Sequence, residues 1–422
     1  MNRCTLLSLV FAAFFVACNN PVKRKEKDAM ARQPDTLVQT AVGEIQLPPP
    51  YATKSATVRS TMVKWPKDKT PTAPPGFVVT KFADDLKNPR NTYIGPNNDI
   101  FVAESGTTDS ADRITIFRDA NNDGKFETRN TFLEDLNQPY GILIIGNYFY
   151  VANTDGLYRY PYQPGQTKMT AKGQKIVTLP AGGYNNHWTR NLTSNADGSK
   201  IYISVGSGSN VGENGMQYEV RRANILEVNP DGSGERIYAG GLRNPVGMDW
   251  NPVTNELWSA VNERDGLGDN LVPDYVTSVK QGGFYGWPYS YFGNIPDPRM
   301  KGKKKGATAD AIVPDVSVGA HTASLGLVFY NKETFPTKFR NGIFVGQHGS
   351  WNRANISGYK VMFIPFADGK PSGKPEDFLT GFVANEKKAR VYGRPTDVTV
   401  MNDGSLLVND DSGNTIWKVS VK

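Results

Sequence analysis

Short apolar runs recur along this chain, each led in by a Pro- or Gly-marked opening and a polar turn. Asn88-Pro89-Arg90 leads through Pro96-Asn97-Asn98-Asp99 to Ile100-Phe101-Val102-Ala103-Glu104. Asn137-Gln138-Pro139-Tyr140-Gly141 leads to Tyr148-Phe149-Tyr150-Val151-Ala152, and His187 to Asn191 leads to Ile201-Tyr202-Ile203-Ser204-Val205. Arg243-Asn244-Pro245-Val246-Gly247 leads to Leu257-Trp258-Ser259-Ala260-Val261. Ser324-Leu325-Gly326 leads to Ile343-Phe344-Val345-Gly346, and Arg394-Pro395-Thr396-Asp397-Val398 to Leu406-Leu407-Val408-Asn409. Runs this short, bounded by turn residues, predict strands rather than helices. About six units spaced by roughly fifty residues predict an all-β, six-bladed β-propeller, one four-stranded sheet per unit.

Composition fits that expectation. The chain has 422 residues, with 42 Gly and 28 Pro dispersed among the turns and 11% aromatics for sheet-on-sheet packing. The propeller is expected over residues 71–422. Residues 1–17 read as a lipoprotein signal peptide: Arg3, an apolar stretch over 6–16, then Ala17 before Cys18, the expected lipidation site. Residues 18–70, with Lys23-Arg24-Lys25-Glu26-Lys27, read as a flexible tether from the cell envelope, placing the body on the periplasmic side. Cys4 and Cys18 are the only cysteines, which excludes thiol catalysis, zinc fingers and iron–sulfur clusters from the mature body.

The net charge is +7, in part from Lys301, Lys303, Lys304 and Lys305. No basic helix accompanies that cluster, so it reads as a solvated loop and no nucleic-acid partner is expected. Candidate chemistry concentrates in the three histidines, His187, His321 and His348, all beside openings or strand ends. His187 suits the removal of a hydroxyl proton near neutral pH, and a hydrogen bond between neighbouring units would explain it equally. The segment His348-Gly349-Ser350-Trp351-Asn352-Arg353 offers an imidazole, an indole, an amide and a guanidinium to a flat anionic ligand. Arg90, Arg243 and Arg394 recur at matching openings, where an anion between them or salt bridges would balance their charge. Asn262-Glu263-Arg264-Asp265-Gly266-Leu267-Gly268-Asp269-Asn270 is either a calcium loop or a solvated acidic one. Asp119-Ala120-Asn121-Asn122-Asp123-Gly124 follows the first half of an EF-hand loop but has Asn130 at the twelfth position, and reads as a tight hairpin turn, either bare or with a weakly held structural ion.

Asn262-Glu263-Arg264-Asp265 with Gly268-Asp269, Gly282-Gly283-Phe284-Tyr285-Gly286-Trp287-Pro288-Tyr289 and Gly241-Leu242-Arg243-Asn244-Pro245 together resemble the glucose/sorbosone dehydrogenase family. Its members are six-bladed propellers using pyrroloquinoline quinone (PQQ) with calcium, and the L-sorbosone dehydrogenase-like branch is the most similar. The resemblance covers roughly residues 75–422. It implies oxidation of an aldose or sugar aldehyde, with electrons leaving to a quinone or cytochrome acceptor. His187 matches the catalytic base, which takes a hydroxyl proton as hydride passes to the quinone. Asn210 and Arg394 match cofactor-binding positions, and His348, Asn352 and Arg353 fall where the family places a cofactor-binding lysine. Glu263 and Arg264 match the calcium segment, whose ligands are backbone carbonyls, and Asp269 joins them as a metal candidate. Asn186 and Ser209 stand where glucose dehydrogenases carry Asp and Arg, and Thr396 replaces a second cofactor-binding arginine. A calcium-dependent lactonase and a non-catalytic carbohydrate- or protein-binding module are the alternatives on the same architecture.

Overall fold

The computed structural model describes residues 23–107, 110–303 and 308–422. Cys18 and the signal segment, and Lys304 and Lys305 of the lysine cluster, lie outside the described residues. Six antiparallel sheets follow one another along the chain, an arrangement consistent with a β-propeller. Their first strands are Pro89–Ile94, Ile142–Ile145, Leu192–Ser194, Pro245–Trp250, Ser324–Tyr330 and Pro395–Val400, and the sheets are numbered one to six in that order. Each of these strands begins within, or just after, one of the predicted openings.

Within each sheet the second strand is buried along all or nearly all of its length. Ile100–Glu104, Ile201–Val205, Leu257–Val261 and Leu406–Asp410 are buried at every position. Continuous apolar runs of this kind belong to strands covered on both faces. Successive side chains point to opposite faces. Phe101 and Ala103 therefore pack with Phe149 and Val151 of sheet two, while Ile100 and Val102 pack with Leu407 and Ile416 of sheet six. Further apolar cores fill the spaces between sheets two and three, three and four, four and five, and five and six. The order is cyclic. It closes through strand Phe77–Ala83, which pairs with Thr415–Val421 as the last strand of sheet six.

First strands of neighbouring sheets touch in a ring. A Cβ on Gly247 would collide with the Leu325 carbonyl, and one on Gly326 would lie 2.5 Å from Asp397 Cα. The repeated glycine of the openings is thus required by close backbone approach. Buried polar side chains latch the ring: Thr92 N donates to Asp397 Oδ2 at 2.9 Å and Phe329 N to Asp249 Oδ2 at 2.8 Å.

Residues expected as a tether depart from that expectation. Thr36–Thr40 and Gly43–Leu47 pair as a hairpin that buries Val38 and Leu47 in the core between sheets three and four. Farther on, Thr61–Met62 pairs in parallel with Arg390–Val391, and the Trp65 ring stacks on Tyr392 at 4.9 Å. Apolar and aromatic residues scattered through a polar segment give this stretch something to bury. The loop at Asp119 is a hairpin turn as expected, with Asp123 N and Gly124 N donating to the Asp119 carboxylate.

Candidate active site

Loops between the sheets surround a cavity of about 780 Å³ lined by all three histidines. Arg243, Arg394, Asn210, Glu263 and Trp351 line it as well. His187 sits just ahead of sheet three. Its Nδ1 lies 2.8 Å from the Ser207 carbonyl and 3.0 Å from Ser207 Oγ, whose own hydrogen goes to the Ser209 carbonyl. Both neighbours are acceptors, so Nδ1 carries the proton and Nε2 keeps its lone pair. Among the described residues Nε2 meets only the Asn186 side-chain amide, at 3.2 Å. Burial, reinforced by the Arg243 guanidinium, holds the His187 pKa well below the ordinary imidazole value. The ring is neutral at pH 7.

Arg190, buried beneath, donates to the carbonyls of His187 at 2.9 Å and Pro180 at 2.7 Å and so fixes the loop. Arg190 and Ser207 escaped sequence reasoning. Arg190 lies three residues past His187, inside the same opening, and that spacing was the available signal.

The other two histidines differ. His321 Nδ1 lies 3.1 Å from Asp265 Oδ1 and Nε2 lies 2.9 Å from the Gly268 carbonyl. Burial lowers its pKa, but these partners outweigh burial and the net shift is upward. His348 Nε2 lies 2.9 Å from Asp411 Oδ1, and Asp411 Oδ2 accepts from Arg90 Nη1 at 2.5 Å. Burial, with Arg394 nearby, pushes His348 down to about 4 despite the carboxylate. The Asp411 carboxyl is held far below the usual range: burial opposes ionisation, but His348 and Arg90 together win.

Among the arginines, Arg243 is nearly buried and donates to the Asn210 side chain at 2.9 Å and the Glu263 carbonyl at 2.7 Å. Arg394 donates to the carbonyls of His348 at 2.8 Å and Gly349 at 3.0 Å. Several expected site residues lie off the cavity lining because protein groups already hold them. Arg90 pairs with Asp411 and stacks over Trp188 at 5.2 Å. Asn352 brackets the Gly266 N–H and the Ala56 carbonyl, and Arg353 reaches the Ala320 carbonyl at 3.5 Å.

The expected metal segment divides in the same way. Arg264 is buried in an ion network with Glu263 and Asp297 and is not on the lining of this cavity. Asp269 accepts from Ala56 N and Ala354 N, one with each oxygen, which makes it a clamp between segments. Glu263 remains at the cavity, and its Oε1 is buried without a hydrogen-bond partner among the described residues. Asp265 and Asp274 also line the cavity, but His321 and Arg243 engage the first, and three donors fill the second. Among the described residues the carboxylates whose ligand atoms converge are Asp119, Asp123 and Glu127, on an exposed turn elsewhere.

A family model described as TrAA12-like matches residues 71–282 and 295–422. An uncharacterized protein of Borreliella burgdorferi is 30% identical over 364 residues, covering 82% of this chain and 89% of that protein. A pyrroloquinoline quinone-dependent pyranose dehydrogenase of Coprinopsis cinerea is 24% identical over 410 residues; the match covers 81% of this chain and 53% of that enzyme, so the chain spans about half its length. The calcium structure of the Trichoderma reesei Carbohydrate-Active Enzymes Family AA12 protein shares the fold, with a TM-score of 0.70 and 19% identity over 87% of this chain and 100% of that one.

Proposed function

This chain belongs to the TrAA12-like family, and with it to the PQQ-dependent sugar dehydrogenase propellers, and we propose that it is a six-bladed propeller oxidising an aldose or sugar aldehyde. The observation that carries this reading is His187 Nε2, an unprotonated base facing the cavity that Arg243, Arg394 and Asn210 also line.

The residues present suit the family's cofactor. Arginine and asparagine donors match a flat, multiply anionic quinone. At Glu263 the carbonyl is already taken by Arg243, and Oε1, buried without a hydrogen-bond partner among the described residues, is the oxygen it could offer a hard cation such as calcium. When bound, PQQ would supply the hydride acceptor, and calcium would polarise its carbonyl. His187 takes the sugar hydroxyl proton at Nε2, and the Ser207 carbonyl stabilises the imidazolium that forms. Burial, with repulsion from Arg243 added to it, keeps the base unprotonated before substrate arrives. Arg394, which His348 braces through its carbonyl, would hold the ligand from the other side of the ring, at the start of sheet six.

Electrons would leave to a quinone or a small cytochrome. Acylation of Cys18 would hold the body at the cell envelope, which the mass of the mature N-terminus tests. The activity is tested by loading purified protein with PQQ and calcium and assaying dye reduction across an aldose panel. Sugar-dependent reduction is expected; absence of quinone binding overturns the reading.

A further inference from the structure

Three arginines line the cavity, and one stands apart. Arg243 and Arg394 donate to protein carbonyls and to Asn210. Arg59 is exposed and has no hydrogen bond or ion pair with any described residue. Its backbone is nevertheless fixed. Val58 N donates to the Trp351 carbonyl at 2.9 Å and Thr61 N to the Ala389 carbonyl at 2.8 Å, leaving only Arg59 and Ser60 between the pins. The strap is held farther out by the Asp269 clamp on Ala56 and by the Trp65 stack on Tyr392. A guanidinium is thus presented at the cavity by a built segment, without an anion to pair it.

Exposure separates what each arginine meets. Arg243, 3% exposed, lies deep. Arg59 lines the same cavity as Tyr184 and Trp351, which are 60% and 45% exposed, and the residue before it, Val58, is bonded to the Trp351 carbonyl. Exposed aromatic faces beside a cation suit the apolar face of a pyranose bearing an acidic group. We infer that Arg59 selects sugars carrying an anionic substituent, a carboxylate or a phosphate, over neutral ones. This deepens the sugar-oxidising reading above and rests on it.

Calorimetry on the full chain, with and without PQQ and calcium, uses D-glucuronate, glucose 6-phosphate and D-glucose as probes. The anionic sugars bind about tenfold more tightly than glucose, the worth of one charge-assisted contact. R59Q brings that ratio toward one, R59K keeps part of it, and added salt narrows it. A melting curve matching wild type verifies that the R59Q fold is intact. An unchanged ratio in R59Q overturns the inference, as does a loss of quinone affinity in place of the ratio. Failure of the wild type to bind quinone, with the Arg59-dependent ratio intact, would sink the dehydrogenase reading alone. Sugar turnover by the loaded enzyme without that dependence would sink this inference alone.

Discussion

His187 and His348 line one cavity and are both pushed toward the neutral form, yet their surroundings differ in kind. His187 rests on a carbonyl and a hydroxyl and leaves Nε2 to the cavity. His348 commits Nε2 to a carboxylate that Arg90 also holds. A proton acceptor needs a lone pair that no carboxylate holds, so the first site, where Nε2 meets the neutral Asn186 amide, suits chemistry and the second suits rigidity. The lesson is that burial alone does not distinguish base from brace. The partner of the second ring nitrogen does.

Breaking the first site has the largest expected effect. His187→Ala lowers kcat/KM of the quinone-loaded enzyme by about 10²–10⁴-fold, read by dye reduction. Breaking the second acts on stability. Asp411→Asn leaves Arg90 buried without its counter-charge and costs about 3–5 kcal/mol in denaturant unfolding.

The pH dependence separates the two further. His348 titrates near 4 when folded and near the ordinary 6.5 when unfolded, so the unfolded chain takes up the proton first. Its contribution to stability is therefore lost as pH falls from about 6.5 to about 4, and His348→Gln flattens that part of the curve. His321, shifted upward, contributes with the opposite sign, and comparison with the variant cancels it. His187 sets the acid limb of kcat/KM, which falls only well below pH 6.5. The smallest effect is expected from Ser207→Ala. The Ser207 carbonyl still holds Nδ1, so kcat/KM drops by less than about tenfold.

The sheets were legible because each repeats one opening, and Pro89, Pro245 and Pro395 all begin first strands. Placement of the three histidines at strand ends and openings likewise anticipated the cavity they share. What a sequence hides is the partner. Nothing near Arg264 along the chain announces Asp297 as its counter-ion, and nothing near Asp269 announces Ala56 and Ala354. Asp411 was closer to legible. It follows the second strand of sheet six, as His348 follows that of sheet five and Asn262 that of sheet four, so the repeat register aligns the three. The strap was missed because its anchoring depends on single residues, Val38, Leu47 and Trp65, dispersed through a polar stretch with no period.

The most direct test follows one absorbance spectrum through two additions. Calcium-supplemented protein is titrated with PQQ, and an aldose that the panel identifies as a substrate is then added. Wild type is predicted to bind quinone saturably and to change its spectrum when sugar arrives, while His187→Ala binds quinone and shows no change. No saturable binding by wild type, or the same sugar-induced change in both proteins, would contradict the assignment of this cavity and its base.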